Sequence, residues 1–304
     1  MYSSLVLRAF ALSAVVAIAA IAAAASWGPN PMPPLEAIAW TLLGAVATTY
    51  GAIVGAGGGF LMVPALLLLG DRAPEEAAGT SLLVVMVGAI VASLTAHAQR
   101  RVDLRSALVF ALAMVPGSLL GAWISPLLKE GRFELCFAIL IFALALGLLI
   151  RPVPEGGATS ARWIGFWPAE RTLTDASGQV HHYRFSLGLG TLTSVAIGLM
   201  SSALGIGGGI LQVPAMIHLL AFPPLVATAT SQVVLTASAI VGSTTHVALG
   251  HVVFRTAAVL AGGALIGGRL GALLAPKIRG PRTIRLLALG LLVVSVRLGF
   301  SGAR

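Results

Sequence analysis

The chain has 304 residues and a mass of 30.9 kDa; 58% of the residues are hydrophobic and only 10% are charged. Soluble domains carry about a quarter of their residues as charges, so these proportions exclude a water-facing globular protein and a disordered chain and predict an integral membrane protein. The one cysteine, Cys136, excludes a disulfide scaffold, and the net charge of +9 sits mainly in short loops between apolar runs, where it reads as orientation rather than nucleic-acid binding.

A bilayer core of about 30 Å takes roughly 20 apolar residues of helix. Membrane spans are predicted at 5–26, 36–56, 79–98, 104–125, 132–150, 184–204, 228–249, 253–276 and 282–300. The first, Leu5 to Ala25, ends in small residues like a signal peptide, but its start carries only Arg8 and favours a retained helix. Two shorter apolar pieces, 59–70 and 209–220, each follow a glycine cluster. They are too short to cross and read as half-helices, whose freed backbone groups need protein or a watery cavity around them. Residues 151–183 form the one long polar connection. The organisation expected is an N-terminal helix or signal-like segment 1–30, a first repeat 31–150, a polar cytoplasmic loop 151–183 and a second repeat 184–304.

The repeats rest on a gapless offset of 150 residues, which places GAGGGFLMVPA, starting at Gly55, over GIGGGILQVPA, starting at Gly205. The same offset pairs Thr80-Ser81 with Thr230-Ser231, Gly117 with Gly267, Gly121 with Gly271 and Pro126 with Pro276, and about a third of residues 51–150 equal their counterparts. Apolar composition alone supplies Ala and Leu matches but not shared Gly, Pro and Thr-Ser punctuation, so this is an internal duplication. Charge orients the copies. If the second is inverted, the loops at 99–105, 151–184 and 277–285 share one side and hold Arg100, Arg101, Arg105, Arg151, Arg162, Arg171, Arg184, Lys277, Arg279, Arg282 and Arg285. The other side keeps Arg72, Lys129, Arg132, Arg255, Arg297 and Arg304, a bias of eleven to six that puts the crowded side in the cytoplasm and the carboxyl terminus outside. The expected fold class is all-α: a polytopic membrane protein of two inverted repeats with paired glycine-broken short helices.

Glycine-interrupted segments at matching positions of two inverted halves point to a transport site at the bilayer midplane. Here they are Gly57, Gly58 and Gly59 against Gly207, Gly208 and Gly209. Each triplet opens a short helix, and free N–H groups there suit an anion; close helix packing is the competing reading. Pro64 and Pro214 read as hinges that end or kink the short helices. Thr80, Ser81, Thr230, Ser231 and Gln232 fall at the expected starts of the next helices, where they either cap orphan N–H groups or donate to substrate. Gln212 replaces Met62 of the first half and puts an amide beside the second break. Arg269 lies within the span 253–276 and either meets an anionic substrate or snorkels to the cytoplasmic surface. His97, His218, His246 and His251 are candidate proton relays or plain packing residues. Neither glycine run completes G-x-G-x-x-G, and no H-E-x-x-H, C-x-x-C or G-x-S-x-G occurs. No metal, cofactor or enzymatic activity is expected.

On GAGGGFLMVPALLLL, GIGGGILQVPAMIHLL and the following AAGTSLLVV and ATATSQVVL, the chain resembles the sulfite exporter TauE/SafE family from about residue 36 to residue 300. The resemblance implies an inner-membrane carrier of two repeated halves for sulfite, sulfonates or related small anions, with the family's glycine-rich motif falling on Gly55, Gly57 to Gly59 and Pro64, and on Gly205, Gly207 to Gly209 and Pro214. Related thiosulfate importers use pore cysteines, whereas Cys136 lies outside both motifs and has no cysteine counterpart under the offset, position 286 being Leu. The function expected is alternating-access transport of a small anion through a lipid bilayer, with a homo-oligomer open; a membrane scaffold or assembly factor docking through 151–183 and a passive anion channel are the alternatives.

Overall fold

The computed structural model describes residues 32–128, 130–150 and 167–278, with 288, 289, 291, 292, 295 and 296. The predicted span 5–26, most of 282–300 and the 151–166 part of the polar connection lie outside the described residues. In chain order the helices are α1 (Pro34–Val54), α2 (Gly59–Leu68), α3 (Pro74–Ala98), α4 (Leu104–Ile124) and α5 (Glu130–Ile150). A hairpin of β1 (Pro168–Thr174) and β2 (Val180–Ser186) follows. Then come α6 (Leu187–Leu204), α7 (Gly209–Pro214, continued as a π turn through Leu219), α8 (Pro224–Ala248) and α9 (Phe254–Leu274).

Prolines set the starts: Pro34, Pro74 and Pro224 occupy the first turns of α1, α3 and α8, where a fixed φ and a missing N–H cost nothing. Helices α3 and α8 thus begin four to five residues before the expected 79 and 228. Among the described residues six helices, α1, α3, α4, α6, α8 and α9, are long and apolar enough to cross a membrane. Burial sorts them: α3 and α8 are 83% and 78% buried, while the other four are 39–50% buried. The outer helices turn apolar rows outward, such as Leu35, Ile38, Leu42 and Val46 on α1 and Ile266, Leu270 and Leu273 on α9. An apolar outer row around a buried pair is what lipid as solvent favours.

The two halves interlock. Helix α1 of the first packs along α9 of the second, α4 of the first along α6 of the second, and α3 and α8 pack against each other. Small residues let the backbones touch: a Cβ on Gly117 would lie 2.0 Å from the Val195 carbonyl oxygen, and one on Gly263 2.0 Å from that of Thr41. The amide of Val253, just after α8, donates to Thr80 near the start of α3, and the amide of Asp103, just after α3, donates to Thr230 near the start of α8. Helices α3 and α8 therefore run antiparallel.

Among the described residues the hairpin is the one departure from helix and connecting turns, and it occupies part of what the sequence suggested was plain loop. Thr, Leu, Val, Tyr and Phe alternate with polar residues on either side of Asp175-Ala-Ser-Gly, a strand and turn signal within the polar connection. The Asp175 carboxylate closes the turn by accepting from the Ser177 amide (2.9 Å), the Ser177 hydroxyl (2.6 Å) and the Gln179 amide (3.0 Å). Asp103, the N-cap of α4, docks the hairpin by accepting from the Tyr183 hydroxyl at 2.8 Å while its other oxygen takes the Ser106 amide at 3.2 Å. The Ala176 amide also donates to the Gln99 carbonyl at 3.1 Å, so the turn sits over the loop after α3.

The Ser177 hydroxyl first, then the Gln179 and Ser177 amides and His181, hold the Asp175 carboxyl below its ordinary 3.8 against the opposing effect of burial. A depressed folded value means that this stabilisation is full above the unfolded pKa and drains away as pH falls through the lower folded one. Hydrogen exchange at the Ser177 and Gln179 amides, corrected for intrinsic rates, should therefore lose protection only below about pH 4. Asp175→Asn should remove that acid dependence; an unchanged profile would refute the assignment.

Candidate functional site

Both glycine clusters are true breaks. Helices α1 and α6 end at Gly55 and Gly205, with φ of 79° and 70°, a left-handed cap that glycine adopts without a Cβ penalty. Gly57, Gly58, Gly207 and Gly208 also have positive φ, so the chain reverses over a few residues before α2 and α7 begin. In the first half the Ala56 and Gly57 amides turn back to the Gly51 carbonyl at 2.7 and 3.2 Å; in the second the Ile206 amide reaches Ser201 at 3.1 Å.

The breaks meet backbone to backbone. A Cβ on Gly59 would lie 2.6 Å from the Ile206 carbonyl oxygen, and one on Gly209 2.4 Å from that of Gly55. Gly57 and Gly207 each abut the same two side chains, Val85 and Leu235, near the middles of α3 and α8. The junction is thus at mid-helix depth. Residues 54–60 and 203–210 are buried, and Val85 and Leu235 fill the flank of the junction.

Hydroxyls of the central helices tie the breaks together. The Ser81 hydroxyl donates to the Gly205 carbonyl at 2.9 Å, and the Ser231 hydroxyl donates to the Gly55 carbonyl at 3.0 Å. Each serine therefore satisfies a carbonyl at the end of the helix before the opposite half's break. Thr80 and Thr230 accept the Val253 and Asp103 amides at 3.0 and 3.1 Å. The capping expected of these residues is corrected in its object: because α3 and α8 start at Pro74 and Pro224, the four hydroxyls lie about two turns inside and serve elements of the other half.

Gln232 donates from Nε2 to the Gly51 carbonyl at 3.3 Å, leaving its buried Oε1 without a partner. Gln212 donates to the Ser194 hydroxyl at 3.4 Å, and its Oε1 is likewise buried and unpartnered. Two inward amide oxygens are thus available next to the two breaks. Pro64 lies inside α2, which runs on to Leu68, while Pro214 marks the change from α to π winding. Arg269 is not among these residues; it is exposed on α9, on the outward face that carries Ile266, Leu270 and Leu273. Its position is that of a snorkelling cation.

The histidines separate. His246 is buried, its Nε2 3.1 Å from the Ser202 carbonyl and its Nδ1 3.3 Å from Nδ1 of His251. A carbonyl only accepts, so His246 carries its proton on Nε2 and His251 donates across the pair. His97 and His218 are half-buried, near the ends of α3 and of the π turn. Sequence reasoning missed two features. Ser118 on α4 and Ser238 on α8 share a hydrogen bond at 2.8 Å, and Ser201 on α6 lies 3.5 Å from Ser238, making a buried hydroxyl chain beside the second break. Arg101 is 3% exposed, though its place in a basic loop suggested a solvated orientation charge. Among the described residues no three His, Cys, Asp or Glu side chains gather to hold a metal.

The family model for sulfite exporter TauE/SafE matches residues 39–298. The chain belongs to that family. As a TauE/SafE protein it is a membrane transporter and not an enzyme. Among its relatives is the "Probable membrane transporter protein YunE" of Bacillus subtilis, 32% identical over 268 residues, covering 86% of this chain and 96% of that one. A "Probable membrane transporter protein" of Xylella fastidiosa is 32% identical, covering 80% of this chain and 87% of the relative. One of Haemophilus influenzae is 29% identical, covering 76% and 81%. No solved structure matches this TauE/SafE chain.

Proposed function

We propose that this transporter carries a small sulfur oxyanion or sulfonate across the inner membrane, and that its two halves are inverted copies that expose a site between the glycine breaks to each side in turn. The observation that carries the reading is the reciprocal pair of hydrogen bonds, Ser81 to Gly205 and Ser231 to Gly55, at the junction of the breaks. A symmetric clamp of neutral donors that now hold protein carbonyls can exchange them for the oxygens of an anion when the halves part. The amides of Gly57 to Gly59 and Gly207 to Gly209, the Thr80 and Thr230 hydroxyls and the Gln212 and Gln232 amides complete the donor set.

The antiparallel course of α3 and α8 supports inversion, because these helices are equivalent under the 150-residue offset. So does the contact of the hairpin with the loop after α3, since the charge count assigns both to the cytoplasmic side. The test is counterflow: protein reconstituted in proteoliposomes preloaded with unlabelled sulfite should accumulate labelled sulfite transiently and saturably. Flux without counterflow would indicate a passive channel, and no flux of sulfite, sulfonates or thiosulfate would remove the carrier reading.

A further inference from the structure

We propose that a small cavity walled by Arg101 and Gln232 is a binding site for a hydrogen-bearing oxyanion, a vestibule between the hairpin-covered face and the first glycine break. The cavity is about 10 Å³ and is otherwise lined by small side chains, including Ala52, Ala92, Thr228 and Ala272. It lies directly beside the break: a Cβ on Gly55 would sit 2.9 Å from the Thr228 Cα, and Gln232 bonds Gly51, whose carbonyl also takes the Ala56 and Gly57 amides.

Two polar groups in its wall are incomplete. Arg101 donates from one terminal nitrogen to the Ala272 carbonyl at 2.8 Å and to the Gln99 side chain, but its buried Nε has no partner. Among the described residues no carboxylate comes within 4.0 Å of it, and Asp175 acts on it only through longer-range charge. Burial draws the guanidinium down from its ordinary value to about 10, with Asp175 opposing, so it remains a cation at neutral pH. The buried Oε1 of Gln232 is the second incomplete group, an acceptor that lacks a donor. A buried cation without a paired anion is costly, and so is a buried acceptor without a donor. A monoanion that keeps one hydrogen, such as hydrogen sulfite, satisfies both: its oxygens face the guanidinium and its hydrogen faces Gln232.

Comparison of the halves shows that the cavity is not a by-product of the fold. The 150-residue offset carries Arg101 to His251, Gln232 to Leu82, Ala96 to His246 and Ala52 to Ser202. At that matching place the His246 ring bonds the Ser202 carbonyl, and Leu82 lies against Gly242, so the space is filled. The duplicated framework is kept while one copy has a cation, an amide and a gap. As it stands the gap admits one water-sized group, so an oxyanion enters only as the walls part.

The path from vestibule to break rests on the transport reading, but binding can be measured apart from flux. Purified protein titrated calorimetrically with sodium sulfite at mildly acid pH and constant ionic strength should bind it, and should bind sodium sulfate, which keeps no hydrogen there, more weakly. Gln232→Leu, which installs the side chain found at the matching position, should lower sulfite affinity about tenfold and erase the preference over sulfate. Arg101→Gln should lower it on the order of 100-fold. Unchanged sulfite affinity in a folded Gln232→Leu protein, or sulfite and sulfate binding alike to the wild type, overturns the vestibule. Saturable flux with an unchanged KM in that variant overturns it too while transport stands; no flux together with Arg101-dependent sulfite binding keeps the vestibule and overturns transport.

Discussion

Gly58→Ala should cost this transporter about 2–5 kcal/mol of stability, far more than the added methyl group suggests. Two effects add. Gly58 has a φ of +91°, and an L side chain held in left-handed backbone costs about 1–2 kcal/mol. Its Cβ would also lie 2.4 Å from the Ala47 carbonyl oxygen and 2.7 Å from its carbon, and backbone cannot step aside as a side-chain tip can. Overpacking of that kind costs a further 1–3 kcal/mol or so. Gly250 separates the terms, because its φ is +77° but nothing lies within 4 Å of the position a Cβ would take. Thermal unfolding in detergent should show a small drop for Gly250→Ala and a drop several times larger for Gly58→Ala. Equal drops would mean that the break is strained but not tightly seated.

That contrast marks what the sequence could and could not convey. The glycine clusters were legible as breaks because positive φ is a local demand that a Gly-Gly-Gly run announces, and their duplication announced a pair. The pairing of the tips was legible only as a geometric consequence of two equivalent half-helices. What each glycine touches was not legible, since Gly58 faces its own half at Ala47 whereas Gly59 faces Ile206 in the other. Ser81 and Ser231 stood out by repetition, but of their two readings the capping of their own helix starts does not hold, because α3 and α8 begin earlier, at Pro74 and Pro224. The burial of Arg101 and the exposure of Arg269 were hidden for a related reason. Hydropathy places a charge along the chain, while burial depends on which neighbours close over it; the hairpin turn and the end of α9 enclose Arg101, and nothing covers Arg269.

Gly263→Leu should do more than lower stability; it should abolish flux, through a seam remote from the proposed site. Gly263, Gly267 and Gly271 recur every four residues and so share one face of α9. On that face their Cβ positions lie 2.0 Å from the Thr41 carbonyl oxygen, 2.3 Å from the Thr48 hydroxyl and 2.3 Å from the Thr49 carbonyl oxygen of α1. A leucine cannot fit at 2.0 Å from backbone, so α1 and α9 must separate. Helix α1 runs straight into Gly55 and the first break, whereas α9 belongs to the half that carries the second. Spreading the seam therefore moves one tip relative to the other and strains the Ser231 bond to Gly55. Gly262→Leu is the control, one position away on the exposed face with nothing within 4 Å. Proteoliposome flux should survive Gly262→Leu and be lost in Gly263→Leu, even in the fraction that purifies as folded protein. Because the offset maps Gly267 and Gly271 onto Gly117 and Gly121, which press on the Val195 and Leu199 carbonyls of α6, Gly117→Leu should produce the same loss by displacing the other tip. Normal transport in both seam variants would mean that the breaks keep their alignment without help from the outer helices.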